Sequence, residues 1–457
     1  MHAHPPTLTG TFARSVVILI LIAATAMPAR SQSGTSPMVL TLDRALEIAA
    51  KQNRDIQVAD QDRAKADAQI TEARSGAFPQ LNVSGVYTRN IKNAVMFVPP
   101  NSLINPTDKT MTIEFGSANA YAATATLNQP LFNFRVGTAL DIANTYADYA
   151  DRAYQVTEEN VALQTKKAFY TVLLARELVR ANREGLEVVR ANLENLRAQY
   201  KQGTAAEFDL LRAEVQVANT EPLSIAAENA LLLAKNNLKN ILALPLDLEI
   251  DVQGTLTFQE VEPVVLENRR REAIATNAGI AQLALQESLL EQNLRVERAA
   301  HYPTLDLTGA YMWQSQDNTF VFKDYLWANS FNVGLKLSIP IFDGFRASAR
   351  TEQAMVDHQK VVTLRQKAEE GLRLQIQSLE LRMAEARKRI DGQERSLSQA
   401  QKAVHIAQTR YTSGVGTQLE LMDTQVAMTR TQTNYAQGIY DYLVAQAEWE
   451  NAVGRQR

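Results

Sequence analysis

Two acidic residues close to a sharp turn are the side chains whose spacing points most directly to a task. Glu420 and Asp423 stand three residues apart, just after the turn around Gly414, so they share one face of a predicted helix. Repeated around a symmetry axis, such a pair forms an acidic ring, which concentrates cations and repels anions at a narrow opening. The alternative is that acids at a helix start only complement the helix dipole, and spacing alone leaves both readings open.

The sequence lacks the motifs of catalysis and cofactor binding. It contains no phosphate-binding loop, dinucleotide fingerprint, nucleophile elbow or histidine pair. The absence of cysteine excludes disulfides, thiolate metal sites and a lipid anchor on cysteine. A formal net charge of −3 provides no basic field for nucleic acid. We therefore expect a protein that is not an enzyme, holds no cofactor or metal and binds no nucleic acid.

The first residues have the pattern of an export signal. Arg14 precedes an apolar run over 16–24, and small residues follow as far as Ser31, which predicts a cleaved secretory signal over residues 1–31. The alternative, a membrane-anchoring helix, requires a longer apolar run. The sequence thus predicts an exported protein, and no other segment is apolar enough to cross a bilayer as a helix.

The remainder of the sequence repeats itself. The stretch 74–85, with its Phe-Pro pair, recurs at 298–309 with a Tyr-Pro pair, and the Tyr-x-x-Gly turn at 200–203 recurs at 411–414. Because the matching pairs keep the same order along both halves, we interpret the chain as a duplication of one structural unit.

Each repeat is predicted to contain short helices, a strand hairpin and a long helical hairpin. The predicted bounds are 32–244 for the first repeat, with strands at about 80–131 and the long hairpin at about 135–244; 245–262 for the joint; and 263–457 for the second repeat, with strands at about 304–340 and the long hairpin at about 345–453. The longest proline-free stretches give rods of about 100 Å at about 1.5 Å per residue. Their apolar residues keep a 3.5-residue period, which is typical of coiled coils.

The strand segments alternate in the way that membrane strands do. Over 305–313, apolar residues such as Leu305, Leu307 and Trp313 alternate with polar or small residues, and 331–339 has the same pattern. Each segment has about the 9 to 11 residues that a tilted strand needs to cross a bilayer, with aromatic residues near the ends. The alternative is a soluble four-stranded sheet packed on helices.

Four such strands are too few to close a barrel. An open sheet edge is not tolerated in lipid, and about eight strands are the fewest that form a barrel. Several copies of the chain must therefore share one barrel; two copies give a filled cylinder, whereas three give twelve strands with room for water. We predict a mainly α fold with a small antiparallel β part, in which a homotrimer forms a twelve-stranded transmembrane β-barrel and an α-barrel of coiled-coil hairpins.

These features together resemble the TolC family of outer-membrane efflux and secretion channels. The resemblance covers nearly the whole mature chain, including an opening Leu-Thr-Leu-Asp at 40–43, both aromatic-Pro strand entries, both Pro-x-Phe strand exits and both Tyr-x-x-Gly turns. It implies a homotrimer in the outer-membrane lipid that extends into the periplasm, and whose closed end opens when a periplasmic adaptor (membrane fusion protein) and an inner-membrane pump dock.

The function that the resemblance implies is the passive exit duct of a tripartite efflux or secretion system. The alternative is a periplasmic coiled-coil scaffold or a pump adaptor. An adaptor would also carry compact β-rich domains beside its helical hairpin, and the sequence shows no such segments. An enzyme built on a barrel is a third class, disfavoured because no paired catalytic residues converge on one site.

The resemblance also assigns roles at the two turns. The constricting acids of the family fall on Glu420 and Asp423, the first-repeat acid of its tip network falls on Asp209, and its tyrosine falls on Tyr411. The turn residues that would face the adaptor are Gly203, Thr204, Ala205, Gly414, Val415 and Gly416. The best-known members carry, at the position of Gly416, an arginine that helps to hold the gate shut, so this contact is missing here.

Overall fold

The computed structural model of the chain describes residues 37–454, and the predicted export signal lies outside the described residues. The helices and strands are, in chain order, β1 (Met38–Leu40), α1 (Leu42–Gln52), α2 (Arg54–Ser75), β2 (Gln80–Arg89), β3 (Ala94–Val98), β4 (Met111–Phe115), β5 (Asn119–Phe132), α3 (Phe134–Lys201), α4 (Glu207–Ile241), β6 (Ile250–Val252), α5 (Pro263–Thr276), α6 (Ala278–Arg298), β7 (Thr304–Asp317), β8 (Ala328–Ser338), α7 (Arg346–Thr412) and α8 (Gln418–Ala452). A mainly α chain with a small antiparallel sheet is the predicted fold class, and it is confirmed.

Two very long helices dominate the molecule. Helices α3 and α7 have 68 and 67 residues, and neither contains a proline, which would break its hydrogen bonds. Each is followed by a 35-residue helix, α4 or α8, and packs against it as an antiparallel hairpin. The long helices are therefore rods that must bury one apolar stripe along a partner.

The apolar seam predicted from the 3.5-residue spacing is buried. In α3 the buried seam residues are Val161, Ala168, Val172, Ala175, Val179, Leu186, Val189, Leu193 and Leu196. In α7 the seam is buried from Leu372 as far as Ile390 and only half-buried over the next turns, at Leu397 and Val404. The second hairpin is thus less tightly packed toward its turn than the first.

The largest core lies where α3, α7 and α8 meet the short helices α1 and α5. Its most completely buried side chains include Leu40, Val172, Ile376 and Trp449. Strand β1 pairs in parallel with β6 at this point, and β6 lies in the predicted joint between the repeats. This core clamps the two long hairpins to each other near their middle.

The antiparallel sheet has the strand order β2-β5-β7-β8, and its register places the apolar side chains on one face. One row across the sheet runs from Val83 through Ala125 and Tyr311 to Phe331. The neighbouring row, on the other face, contains Ser84, Thr124, Met312 and Ser330. The alternation predicted from the sequence is confirmed, since period-2 segments in register must sort their side chains by face.

The apolar face of this sheet is open to the surroundings. Val83 is 75% exposed and Phe331 is 71% exposed, so no helix between residues 37 and 454 covers them. The outer edges of β2 and β8 have no strand partner among the described residues. Within the same part of the chain, no helix has an apolar stretch long enough to cross a membrane.

The connections at the far end of the sheet are more ordered than the sequence indicated. The segment between β2 and β5 contains the antiparallel pair β3–β4, although its Pro99-Pro100 and Asn105-Pro106 pairs favour a loop. Residues 318–327, which connect β7 to β8, contain a short 3-10 helix, Phe322–Asp324.

Candidate functional site

The two helical hairpins end in turns of the same construction. Gly203 has φ +74° and donates its N–H to the Tyr200 carbonyl at 2.9 Å. Gly414 has φ +75° and donates to the Tyr411 carbonyl at 3.1 Å. A residue with positive φ directly after a helix is the usual way in which a chain closes the last helical carbonyls, and glycine adopts that conformation without steric cost.

The residues expected to face an adaptor lie at these turns. Gly203, Thr204, Gly414 and Val415 are exposed, whereas Ala205 and Gly416 are half-buried. The first turn is fastened by Thr204, whose N–H and hydroxyl both donate to the Gln199 carbonyl at 3.0 Å.

Gly416 is tightly enclosed by the end of α7. A Cβ atom added to it would lie 2.9 Å from Arg410 Cβ and 3.0 Å from the Tyr411 nitrogen. The N–H groups of Val415 and Gly416 both donate to the Arg410 carbonyl at 3.0 Å. The turn therefore has no room for an arginine, or any other side chain, at this position.

The two acids after the second turn have different surroundings. The hydroxyl of Thr417 accepts the Glu420 N–H at 3.2 Å and caps α8. The Glu420 carboxylate lies 3.6 Å from Nε of Arg410. Asp423 is exposed and its carboxylate makes no hydrogen bond or ion pair within the described residues. Of the two, Asp423 thus presents the uncompensated negative charge.

Arg410 is a site residue that the sequence did not single out. Its guanidinium approaches Glu420 and also donates from Nη2 to the Val415 carbonyl at 3.4 Å. Both members of the ion pair are about half exposed, so the pair adds roughly 0–1 kcal/mol at most. The sequence does place Arg410 directly before Tyr411, which could have marked it as a tip residue. Exposed arginines are common on long helices, however, so this position alone does not distinguish it.

Tyr411 and Asp209 come from different repeats, and the charge of Asp209 acts on the Tyr411 hydroxyl. Burial raises the pKa of the Tyr411 hydroxyl, and the negative charge of Asp209 raises this pKa further. The two side chains do not form a hydrogen bond with each other. The structure thus brings the predicted tyrosine and first-repeat acid into electrostatic range, with Asp209 half-buried in the first turn of α4.

Two buried amide side chains lie on α8 close in sequence to the acids, and no sequence pattern singles them out. Gln418 is 6% exposed, and neither its side-chain oxygen nor its nitrogen has a protein partner. The side-chain oxygen of Gln425, two turns later, is also buried without a hydrogen-bond partner. A buried polar group without a partner costs about 1–3 kcal/mol. The packing of the first turns of α8 against α7 is therefore less favourable in free energy than it would be with paired amides.

Between residues 37 and 454, no group of three or more His, Cys, Asp or Glu side chains is placed to hold a metal ion. The tips present negative charge from carboxylates, and they present two exposed glycine turns at the ends of long helices.

Known proteins resemble this chain both in sequence and in fold. The family described as "Outer membrane efflux protein" matches residues 45–244 and 270–455. The chain is 22% identical to outer membrane protein TolC of Escherichia coli (strain K12) over 409 residues, which covers 86% of this chain and 78% of that protein. It is 25% identical over 341 residues to the proteases secretion protein PrtF of Dickeya chrysanthemi, covering 72% and 70% of the two chains.

A solved structure supports the fold independently. The CmeC outer membrane channel of Campylobacter jejuni superposes with a TM-score of 0.75 at 16% identity, over 90% of this chain and 85% of that one. At this identity the likeness concerns the architecture: long helical hairpins joined to a small antiparallel sheet.

Proposed function

The chain belongs to the outer membrane efflux protein family, and from this premise we propose that three copies form a passive exit duct for a periplasmic adaptor and an inner-membrane pump. Membership makes the protein an outer-membrane efflux or secretion channel. The trimer, the docking partners and the roles of individual residues are the proposal. Substrate would move along the trimer axis, with energy supplied by the pump.

The observation that carries the proposal is the sheet with one open apolar face and two unpaired edges. In water this arrangement exposes large apolar side chains, and in lipid it leaves backbone groups unpaired. Edge-to-edge pairing of copies removes both problems at once, with the apolar face toward lipid and the polar face toward a lumen. Three copies give twelve strands, a number whose barrel has room for water.

We assign the gate to the helical tips. Around a threefold axis, Glu420 and Asp423 would form an acidic ring, and Asp209 and Tyr411 would belong to the contacts between hairpins. The buried, unpaired amides of α8 support movement here, because an element packed at a cost opens more readily. The adaptor would dock on the turns around Gly203–Ala205 and Gly414–Gly416.

We further propose that the repeats span 32–244 and 263–457, joined by 245–262. The near-equal lengths of α3 and α7, and the equal lengths of α4 and α8, support this division. The relatives are channel proteins and not enzymes, and we assign no catalysis to the chain. The scaffold alternative leaves the open apolar sheet without a use.

The test is conductance of purified protein in planar bilayers under a salt gradient. We expect ion channels that favour cations, because the acidic ring raises the local cation concentration. Neutralising the ring with Glu420→Gln and Asp423→Asn together should move the reversal potential toward zero. A protein that gives no conductance contradicts the duct, whereas unchanged selectivity in the double variant contradicts the ring alone.

A further inference from the structure

The connection between β7 and β8 does not project from the sheet but folds back onto its apolar face. This connection, residues 318–327, is called the rim segment below. The ring of Tyr325 is almost fully buried and lies 5.5 Å from the ring of Tyr121. The ring of Trp327, at the end of the segment, lies 4.5 Å from that of Trp313. Tyr121 and Trp313 both belong to the apolar face, since their side chains share it with Ala123.

Polar side chains fasten the rim segment to that face. Asn119 is fully buried and accepts hydrogen bonds from the Tyr87 hydroxyl at 3.0 Å and from Arg89 at 2.6 Å. Its side-chain nitrogen donates to the Thr319 carbonyl at 2.8 Å. The Ser315 hydroxyl donates to the Leu326 carbonyl, also at 2.8 Å. The polar groups at this end of the apolar face are therefore covered and paired.

The outward side of the rim segment is apolar. Phe320 is 60% exposed, Phe322 is 58% exposed and Leu326 is 89% exposed. Between them stand two exposed charged residues, Lys323 and Asp324. The segment thus replaces the polar end of the sheet face by a patch of aromatic and aliphatic side chains, and contiguous apolar patches of this kind mark a contact with a partner or a membrane.

The strands determine the level at which this patch lies. From Thr304, where β7 begins, to Trp313, a strand with a rise of about 3.3 Å per residue and a tilt of about 40° climbs about 23 Å. The apolar band of an outer-membrane barrel is about 25 Å high and is bounded by aromatic residues. Trp313 is then at the far boundary of the band, and the rim segment that packs on it occupies the interface.

We propose that the rim segment is an interfacial membrane anchor, in which Phe320, Phe322 and Leu326 enter the boundary between acyl chains and head groups. The charged pair Lys323 and Asp324 stays among the head groups. The partner is lipid because the patch continues the face that the same strands turn toward lipid. This inference rests on the membrane-facing side of the proposed duct, and it makes the segment a stop that sets the depth of the barrel.

The test uses the absence of cysteine from the chain. Single variants Leu326→Cys, Val333→Cys and Leu103→Cys are labelled with bimane and reconstituted in phosphatidylcholine–phosphatidylglycerol vesicles. Val333 marks the lipid-facing sheet, and the fully exposed Leu103 marks the other loop. Bimane at 326 should be quenched more strongly by a head-group nitroxide lipid than by an acyl-chain nitroxide lipid, and bimane at 333, in the middle of the apolar band, should show the reverse order. Iodide should quench bimane at 326 several-fold less than at 103.

Each other outcome overturns the anchor in a distinguishable way. Efficient iodide quenching at position 326 would place the segment in water. Protection of position 326 from iodide and from both nitroxide lipids would mean that a neighbouring copy covers it. If position 333 escapes the acyl-chain nitroxide lipid, the membrane-facing side of the sheet is wrong, and the proposed duct fails together with the anchor.

Discussion

The guanidinium at the second tip comes from Arg410. A side chain at Gly416 would collide with the backbone at Arg410 and Tyr411, which explains why an arginine is missing from the position where the resemblance led us to look for one. Arg410 places its positive charge against Glu420 from the preceding helix instead. The net charge at the tip is thus a balance, in which one acid is partly compensated and Asp423 is not.

Arg410→Gln should make the duct more selective for cations. Removing the guanidinium leaves both acids of each chain uncompensated, so the reversal potential in a salt gradient should move away from zero. The change should be less than about fivefold in permeability ratio, because an exposed pair amounts to roughly 0–1 kcal/mol. Arg395→Gln is the control: this exposed arginine of α7 lies about 22 Å along the helix from Arg410. A shift toward zero would contradict the assignment.

At this scale the sequence predicted the carboxylates but not their neighbours. Glu420 and Asp423 follow a recognisable turn, so the sequence could single them out, although their spacing alone left their role open. Arg410 and Gln418 could not be selected, because their roles depend on which atoms the folded turn brings near them. Whether a buried amide has a hydrogen-bond partner depends on how the neighbouring side chains pack, and the helical pattern of the sequence does not determine that packing.

The two turns share their glycine geometry, but the helices that follow them begin differently. Thr417 caps α8 with its hydroxyl, whereas Ala206 gives α4 no side-chain cap. A side-chain cap adds about 1 kcal/mol to helix stability. Each turn also places two donors on one carbonyl: the N–H groups of Val415 and Gly416 on Arg410, and the N–H and hydroxyl of Thr204 on Gln199. The side-chain cap is therefore the difference, and it fixes the start of α8 more firmly than that of α4.

Gly416→Ala should loosen the second turn. The new methyl group must displace backbone atoms of Arg410 or Tyr411, which breaks the hydrogen bonds to the Arg410 carbonyl. We expect faster amide hydrogen exchange at residues 413–421, with exchange at the first turn unchanged. Gly392→Ala is the matched control, since a Cβ there meets nothing within 4 Å and alanine favours a helix. Equal exchange in both variants would contradict the enclosure of Gly416.

Long periodic elements were predictable and short ones were not. The four strands of the sheet and the long hairpins carry patterns of period 2 and period 3.5 over many residues. Strands β1 and β6 have three residues each, too few for any period. Strand β3 reads Ala-Val-Met-Phe-Val, which is apolar throughout and does not alternate, and the prolines that follow favoured a loop.

The whole molecule is shaped as one part of a larger assembly. A single chain contributes two rods, a tightly packed middle and a sheet whose outer edges, and most of whose apolar face, have no partner among the described residues. The fold class followed from the sequence because duplication, heptads and alternation all indicate the same architecture. The number of copies stays a prediction, since it depends on how the edges of β2 and β8 meet between chains.

The mass of the detergent-solubilised particle tests the shared barrel most directly. Light scattering corrected for bound detergent should give a protein mass of three chains, each 50.8 kDa before removal of a signal. The sheet edges should be paired in that particle, so backbone amides of β2 and β8 should exchange slowly. A uniform population of single chains, with rapid exchange along both edges, would contradict the account.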